Sequence, residues 1–403
     1  MECTYARTPA LEHAYAEVSA KAFKRPTEMR DHKLLWFKRP HYEPEHTRIV
    51  IDEGKVVAGV AIVELPVNFG GTVLRLGGVS CVATDPDAWK RGYGRACMQD
   101  SVAYMARDGF DISFLLGIRD YYWRFGFRTA LVWFACRFEA RDVQVEMPAG
   151  LRVRKVRRSD IPAMDALYRQ EIARHDLSVA RTGEDWNWYF RFHKMDHAYA
   201  LVDAKGQLLA YATANPRGGS LRVDEVATAG TTEAFDGTIA LLRERARESF
   251  ATSVEMYTPP EGPFARYCLC RKRMEWRSWT DYVGGPMLRL FNVEPLFGKL
   301  APAMSARWQN APRSTPPEAV TIRCPMGQVA FVPRDGSLAV CPGDVAGQVV
   351  EVPDEALTEL VMGFRPADDI LADADVRATD AARRVVAVLF PLGRPFMSPI
   401  DHM

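Results

Sequence analysis

Two short stretches carry residue types that could do chemistry together. The first runs from Val82 to Cys97, VATDPDAWKRGYGRAC. A β-rich run (Val82, Ala83, Thr84) leads into a loop with Gly92 and Gly94, and the loop opens directly into a helix. Glycines let the backbone approach a ligand closely, and a helix start offers unpaired N–H groups and the positive end of the helix dipole. Lys90, Arg91 and Arg95 surround those donors with positive charge, with Tyr93 between the glycines, a set suited to a pyrophosphate. The pattern is not the dinucleotide G-x-G-x-x-G, whose third glycine is missing, nor a P-loop, which requires Gly-Lys-Ser/Thr. Taken alone it suits an ordinary glycine-containing helix start equally well.

The second stretch is Leu115 to Phe127, LLGIRDYYWRFGF. A strand ends at Gly117 and Ile118, and two tyrosines stand ahead of Arg-Phe-Gly-Phe. Both stretches, in this order and spacing, resemble the cofactor-side motifs of the GNAT superfamily of N-acetyltransferases. The resemblance implies that the strand before the glycine loop splays from the next strand and that the pantetheine arm of acetyl-CoA lies in the gap. It implies cofactor contacts at Val82, Ala83, Thr84, Lys90, Arg91, Gly92, Tyr93, Gly94, Arg95, Gly117 and Ile118. It also implies that Tyr122 gives a proton to the leaving CoA sulfur, the work of a positioned general acid. On residue type alone, Tyr121 and Tyr122 read equally as packing aromatics with hydroxyls bonded to backbone, which is the reading kept for Tyr121. One position departs from the superfamily, which often has Arg or Gln three residues before the first loop glycine, where this chain has Trp89.

The elements that must hold these residues follow from periodicity. Leu11, Ala14, Tyr15, Val18 and Ala22 predict a helix over Pro9 to Phe23. Thr47–Asp52 and Val56–Val63 predict a hairpin turning at Asp52-Glu53-Gly54-Lys55. Thr72–Thr84 is β-rich but broken at Gly77-Gly78; a helix is expected from Gly92 to Arg107, and strands over Phe110–Leu116 and Thr129–Phe138. From Leu151 onward a similar order of elements returns without the glycine loop. A third part begins at Met287–Asn292, with short strands between Val320 and Cys341, helices near Asp354–Met362 and Ala367–Ala372, and a proline-rich tail.

Composition bounds the rest. The 403 residues carry 52 basic and 51 acidic side chains, a formal net charge of +1, which gives no basis for a nucleic-acid partner. Apolar residues at 48% and charged residues at 26% describe a globular protein. No apolar stretch approaches the roughly 18 residues needed to span a bilayer. The first residues lack a basic n-region and an apolar h-region, so a cytoplasmic location is expected. Of eight cysteines only Cys268 and Cys270 are close in sequence, a poor zinc signature, and no metal is expected. His32, His41, His46, His175, His193 and His197 show no ligand spacing. The aromatic run Asp185 to His193 reads as core and domain interface rather than a base-stacking surface, and Glu17 with Lys21 reads as a solvated helix pair.

The whole-chain layout resembles the enhanced intracellular survival (Eis) family of acetyltransferases, carried by the two motifs and by Met287–Leu296, MLRLFNVEPL. The fold class expected is α+β: a GNAT-type mixed sheet with flanking helices in residues 1–145, a degenerate GNAT-like domain in 146–285, and a domain resembling sterol carrier proteins in 286–403. The function implied is acetyl transfer from acetyl-CoA to a primary amine, of an aminoglycoside-like small molecule or a lysine, by direct attack in a ternary complex. The alternative is a catalytically silent acyl-CoA- or lipid-binding protein. The family further implies a homo-oligomer, hexameric in its members, and a tail whose terminal carboxylate, here that of Met403, acts as general base. His402 titrates in the right range and is a rival.

Overall fold

The computed structural model describes residues 1–25, 37–192, 194–272, 274–280, 284–334 and 336–402, with residue 119 described by its backbone alone. It divides into two compact units, each discontinuous in sequence: residues 1–131 with 280–394, and residues 132–279 with 395–402. The fold class is α+β, with several mixed sheets and helices packed on them.

In the first unit, β1 (Glu2–Tyr5), β2 (Thr47–Asp52), β3 (Lys55–Phe69), β4 (Thr72–Thr84), β5 (Ile112–Ile118), β6 (Arg128–Thr129) and β7 (Gly284–Leu290) form one sheet. Their order is β1-β2-β3-β4-β5-β7-β6, so a strand from far along the chain lies between β5 and β6. The β2–β3 hairpin turns as expected, with Glu53 at φ 48° and Gly54 at φ 74°, both in the left-handed region that a tight hairpin turn requires. α1 (Pro9–Phe23) starts at Thr8, whose side chain accepts from the Leu11 N–H, and α2 (Tyr93–Arg107) buries Cys97, Met98, Ser101 and Met105. The expected break at Gly77-Gly78 is absent, and β4 runs unbroken. A Cβ at Gly77 would lie 2.5 Å from the Met105 Sδ, so the missing side chain lets α2 close onto the sheet.

Two further expectations shift. The single strand predicted over Thr129–Phe138 is two, β6 in the first unit and Trp133–Glu139 in the second. The short helix predicted after Met287–Asn292 is 17 residues long, Val293–Gln309, and tolerates Pro302 inside it. It packs against a four-stranded sheet of Val320–Cys324, Gly327–Arg334, Ser337–Pro342 and Gln348–Glu351.

The second unit holds two sheets. Arg152–Lys155, Ala198–Val202, Leu208–Thr213 and Val226–Thr228 form one; Asn215–Arg217, Ser220–Val223, Ser253–Met256, Trp133–Glu139 and Glu275–Trp279 form the other. Its core gathers around Phe235, Ile239 and Leu242 of the helix Thr232–Glu248. The aromatic run forms the helix Gly183–Arg191, with Trp186, Trp188 and Tyr189 buried, as core residues rather than a stacking surface. His32 and His193 lie outside the described residues. No helix among the described residues is long and apolar enough to cross a membrane.

Candidate active site

The site begins where two neighbouring strands part. β4 and β5 pair in parallel only at Leu76–Ile112, Gly77–Ser113 and Gly78–Phe114. Beyond that point β4 stays with β3 as far as Ala58–Thr84, while β5 follows β7 as far as Gly284–Ile118. A wedge opens between Val79–Thr84 and Leu115–Ile118, whose facing edges do not pair with each other. Backbone N–H and C=O groups along such an edge need partners. Leu116 and Ile118 remain exposed there, Ile118 at 59%.

A bulge accompanies the parting. Ala61 pairs with Ser80 but Gly59 with Ala83, so β4 carries an extra residue opposite β3. Cys81 takes it up at φ 49°, a left-handed conformation uncommon for a residue with a side chain. The Tyr15 hydroxyl of α1 donates to the Cys81 carbonyl at 2.6 Å. Gly59 makes room for it, since a Cβ there would lie 2.2 Å from the Tyr15 ring. Tyr15 reads in the sequence only as one apolar position on a helix face. Its pairing with Gly59 and the bulge is non-local, and only the combination of a tyrosine on α1 with a glycine inside an otherwise β-branched run hints at it.

At the wide end of the wedge stands the glycine loop. Lys90 is left-handed at φ 66°, and Gly92, at φ 84°, caps α2 without any side-chain hydrogen bond. The first intrahelical bond runs from the Ala96 N–H to the Gly92 carbonyl at 2.9 Å, so the amides of Tyr93, Gly94 and Arg95 have no partner within the helix. The side chains of Lys90, Arg91 and Arg95 are exposed around them. Gly94 has no space for a side chain: a Cβ would lie 2.8 Å from the Thr84 Oγ1 and 3.4 Å from the Tyr121 hydroxyl. The Tyr93 ring is buried and its hydroxyl donates to Asp52 at 2.5 Å, which leaves its backbone facing the loop. The Trp89 indole N–H donates to the Thr84 carbonyl at 3.0 Å with the ring 56% exposed. Lys21 pairs with Asp85 and Asp87 at 3.0 and 2.9 Å rather than with Glu17, because two carboxylates outbid one; Glu17 meets His13 instead.

On the β5 side, α3 (Arg119–Tyr122) follows the strand directly. The Tyr122 ring lies on the backbone of Gly117, where a Cβ would fall 2.4 Å from it. It meets the Tyr121 ring edge-on at 4.9 Å and Phe127 at 6.4 Å. Burial, with a smaller push from Tyr121, raises the Tyr122 phenol to about 12, so it is protonated at neutral pH. Its hydroxyl bonds to no group among the described residues, unlike that of a packing tyrosine tied to backbone. Cys97, by contrast, is buried, donates to the Arg48 carbonyl at 3.5 Å, and is held protonated by burial, so it is no nucleophile.

The tail residues 395–402 belong to the second unit and are held there. The Phe396 N–H donates to the Asp176 carbonyl at 2.7 Å, its ring stacks on Phe134 at 5.5 Å, and the Ser398 hydroxyl donates to the Asp224 carbonyl at 3.1 Å. Asp401 is fully buried and accepts from Arg181 at 2.8 Å and from the Tyr189 hydroxyl; the same guanidinium reaches Glu225 at 2.6 and 2.8 Å. Burial opposes the charge on Arg181, but Asp401 and Glu225 outweigh it and hold its pKa well above the usual value. This network is invisible in the sequence, where each member is an ordinary charged residue. His402 packs on Trp133 at 5.1 Å, and burial pushes its imidazole down to about 4. Met403 lies outside the described residues. No group of three or more His, Cys, Asp or Glu among the described residues is arranged to hold a metal ion.

In the second unit the helix Thr232–Glu248 follows a strand as α2 does, but its start is occupied. Thr231 caps it, the side chain accepting from the Ala234 N–H at 3.2 Å.

Residues 7–130 match the family model of the acetyltransferase (GNAT) domain. No curated protein matches the chain. Among solved structures, a GCN5-related N-acetyltransferase from Anabaena variabilis is similar over 100% of both chains, at 16% identity and a TM-score of 0.75. One from Kribbella flavida is similar over 100% of this chain and 98% of its own, at 20% identity and 0.71. Eis1 from Mycobacterium abscessus is similar over 99% of each, at 18% identity and 0.67. At these identities the likeness is one of fold, and it extends over the whole chain.

Proposed function

We propose that this chain, an acyltransferase whose residues 7–130 are a GNAT acetyltransferase domain, transfers the acetyl group of acetyl-CoA to a primary amine by direct attack within a ternary complex. The observation that carries the reading is the wedge between β4 and β5, which ends at a helix start without a side-chain cap on one side and at Tyr122 on the other. Acetyl-CoA supplies an acyl thioester open to attack by an amine. Val82, Ala83 and Thr84 on β4 and Gly117 and Ile118 on β5 offer the free strand edges for its pantetheine arm. The amides of Tyr93, Gly94 and Arg95, with Lys90, Arg91 and Gly92, receive the pyrophosphate. The fit is supported by Gly92 and Gly94, where the backbone needs the left-handed region at one and the absence of a side chain at the other. Trp89 takes no part in holding charge, and backbone donors carry that contact.

Tyr122 donates its phenolic proton to the departing sulfur. Its raised pKa keeps the proton in place until a charge develops, and its unbonded hydroxyl is free to give it. The general base is read as the terminal carboxylate of Met403, with His402 as the rival. An imidazole held near 4 has about the proton affinity of a carboxylate, so basicity does not separate them. Deleting Met403 moves the carboxylate and keeps the imidazole, whereas His402→Asn does the reverse.

The acceptor is read, by resemblance to the Eis family, as an aminoglycoside-like small molecule or a lysine amine. The same resemblance supports a degenerate second domain over 146–285, for which the Thr231 cap speaks, a sterol-carrier-like part over 286–403 and a homo-oligomer. The test is consumption of acetyl-CoA against polyamines, aminoglycosides and lysine peptides, with mass analysis of the acceptor. Gain of one acetyl group on an amine is expected. Binding of acetyl-CoA with no turnover on any amine would count against the proposal.

A further inference from the structure

β7 is drawn from residues 284–290, yet it lies against β5 and β6 and so beside the turn that carries Tyr122. Pro286, Met287, Leu288 and Leu290 on it are buried and apolar or ring-bearing, and Arg289 interrupts them. The Arg289 Nη1 donates to the Phe125 carbonyl at 2.5 Å. Phe125 ends the short turn Trp123–Phe125 that follows Tyr122 without a break. That turn closes on itself through the Gly126 N–H to the Trp123 carbonyl at 3.0 Å and the Phe127 N–H to the Tyr122 carbonyl at 3.4 Å. Two arginines hold the turn from outside it: Arg128 donates to the Trp123 carbonyl at 3.1 Å, and Arg289 alone among the described residues meets the Phe125 carbonyl.

Gly126 records the same fit from the other side. It sits at φ 78°, and a Cβ there would lie 1.8 Å from the Arg289 Nη1, so the guanidinium fills the space a side chain would take. The Arg289 Nε is buried with no hydrogen-bond partner among the described residues. Burial lowers the guanidinium's pKa, while Asp354 and Glu355 favour its charge. A strand position between Leu288 and Leu290 could hold an apolar residue at less desolvation cost, so a specific task for the donor is indicated.

We propose that Arg289 is a positioning residue: it fixes the Trp123–Phe125 turn and through it the orientation of Tyr122, which it does not touch. The proposal rests on reading Tyr122 as the proton donor. It is tested on the full chain with Arg289→Met and Arg289→Lys, each alone and combined with Tyr122→Phe, by kcat, KM for acetyl-CoA and Tm. Expected for Arg289→Met is a fall in kcat of about tenfold or more with KM changed by less than about twofold, the signature of a group that acts in the transition state. Arg289→Lys keeps a donor and recovers part of kcat. In the Tyr122→Phe background, Arg289→Met adds little further loss, because the group it positions is gone.

Equal losses in both backgrounds, or unchanged kcat in folded Arg289→Met, would overturn the proposal. A purely structural arginine would lower Tm and leave kcat per folded molecule intact. If Arg289→Met does not fold, Arg289→Ala, which also lacks the donor, carries the same comparison, and full kcat in folded Arg289→Ala overturns the proposal. Full turnover in Tyr122→Phe would instead sink the proton-donor reading itself. That outcome is distinct from one in which Tyr122→Phe is slow and Arg289→Met is not.

Discussion

The proposed proton donor, Tyr122, sits in surroundings that suit that task. Its ring covers Gly117 and its phenol is raised to about 12, so deprotonation of Tyr122 cannot limit turnover near neutrality. The pH profile of kcat should therefore show no descending limb from this group below about pH 10, the ordinary tyrosine value. A wild-type loss of kcat between pH 8 and 9.5 that Tyr122→Phe abolishes would contradict this. The stability consequence has a definite sign. A raised pKa contributes stability that is full below about pH 10 and lost as pH rises toward 12. Tyr122→Phe should lose less Tm than wild type over that interval. The glycine loop was legible in the sequence because glycine ahead of a helical period is a local pattern, whereas the role proposed for Tyr122 comes from the resemblance carried by the residues around it. Tyr15 was not legible, because its task depends on a bulge and a glycine on other elements.

At the scale of elements, the wedge exists because β4 follows β3 while β5 follows β7. The bulge at Cys81 is part of that departure, and Tyr15 secures its carbonyl. Tyr15→Phe removes this donor from a part-buried carbonyl, a cost of about 1 kcal/mol. Its Tm should fall, and its KM for acetyl-CoA should rise because Val82–Thr84 lose their set course. An unchanged Tm and KM would remove Tyr15 from the account. Periodicity located β4, α2 and β5 within a few residues, yet misread Gly77-Gly78 as a break, because a glycine required for close packing of Met105 looks the same in sequence as one that ends a strand. The place of β7 was illegible for a different reason: strand order within a sheet is not a property of any local stretch. A fragment of residues 1–145 lacks β7, and so should fail to give a cooperative thermal transition. A sharp transition from that fragment would contradict the sheet order described.

At the scale of the molecule, both compact units are assembled from separated parts of the chain, and the tail is bound into the second one. Arg181, Glu225 and Asp401 are fully buried together, so removal of the arginine alone leaves two buried carboxylates without a counter-charge. Arg181→Met should cost about 3–5 kcal/mol and release the tail to proteolysis. Wild-type Tm in that variant would refute it. His402 adds a pH dependence to the same anchorage: a lowered pKa contributes stability present above about 6.5 and lost as pH falls toward 4. The tail's prolines and apolar residues signalled a packed segment in the sequence, but the ion pairs that hold it did not, since Arg181 and Asp401 stand far apart and each reads as a surface charge. The likeness of fold to Eis1 and to the GCN5-related enzymes spans the whole chain, whereas the family model covers residues 7–130, where the wedge and Tyr122 lie.

The central claim is that Tyr122 serves acetyl transfer within a wedge that binds acetyl-CoA. The most direct measurement is single-turnover acetylation of the best amine by wild type and Tyr122→Phe at saturating acetyl-CoA, so that binding and product release do not intrude. The predicted result is a rate lower by about 10²- to 10⁴-fold in Tyr122→Phe with acetyl-CoA affinity unchanged. An equal single-turnover rate in the two proteins would contradict it.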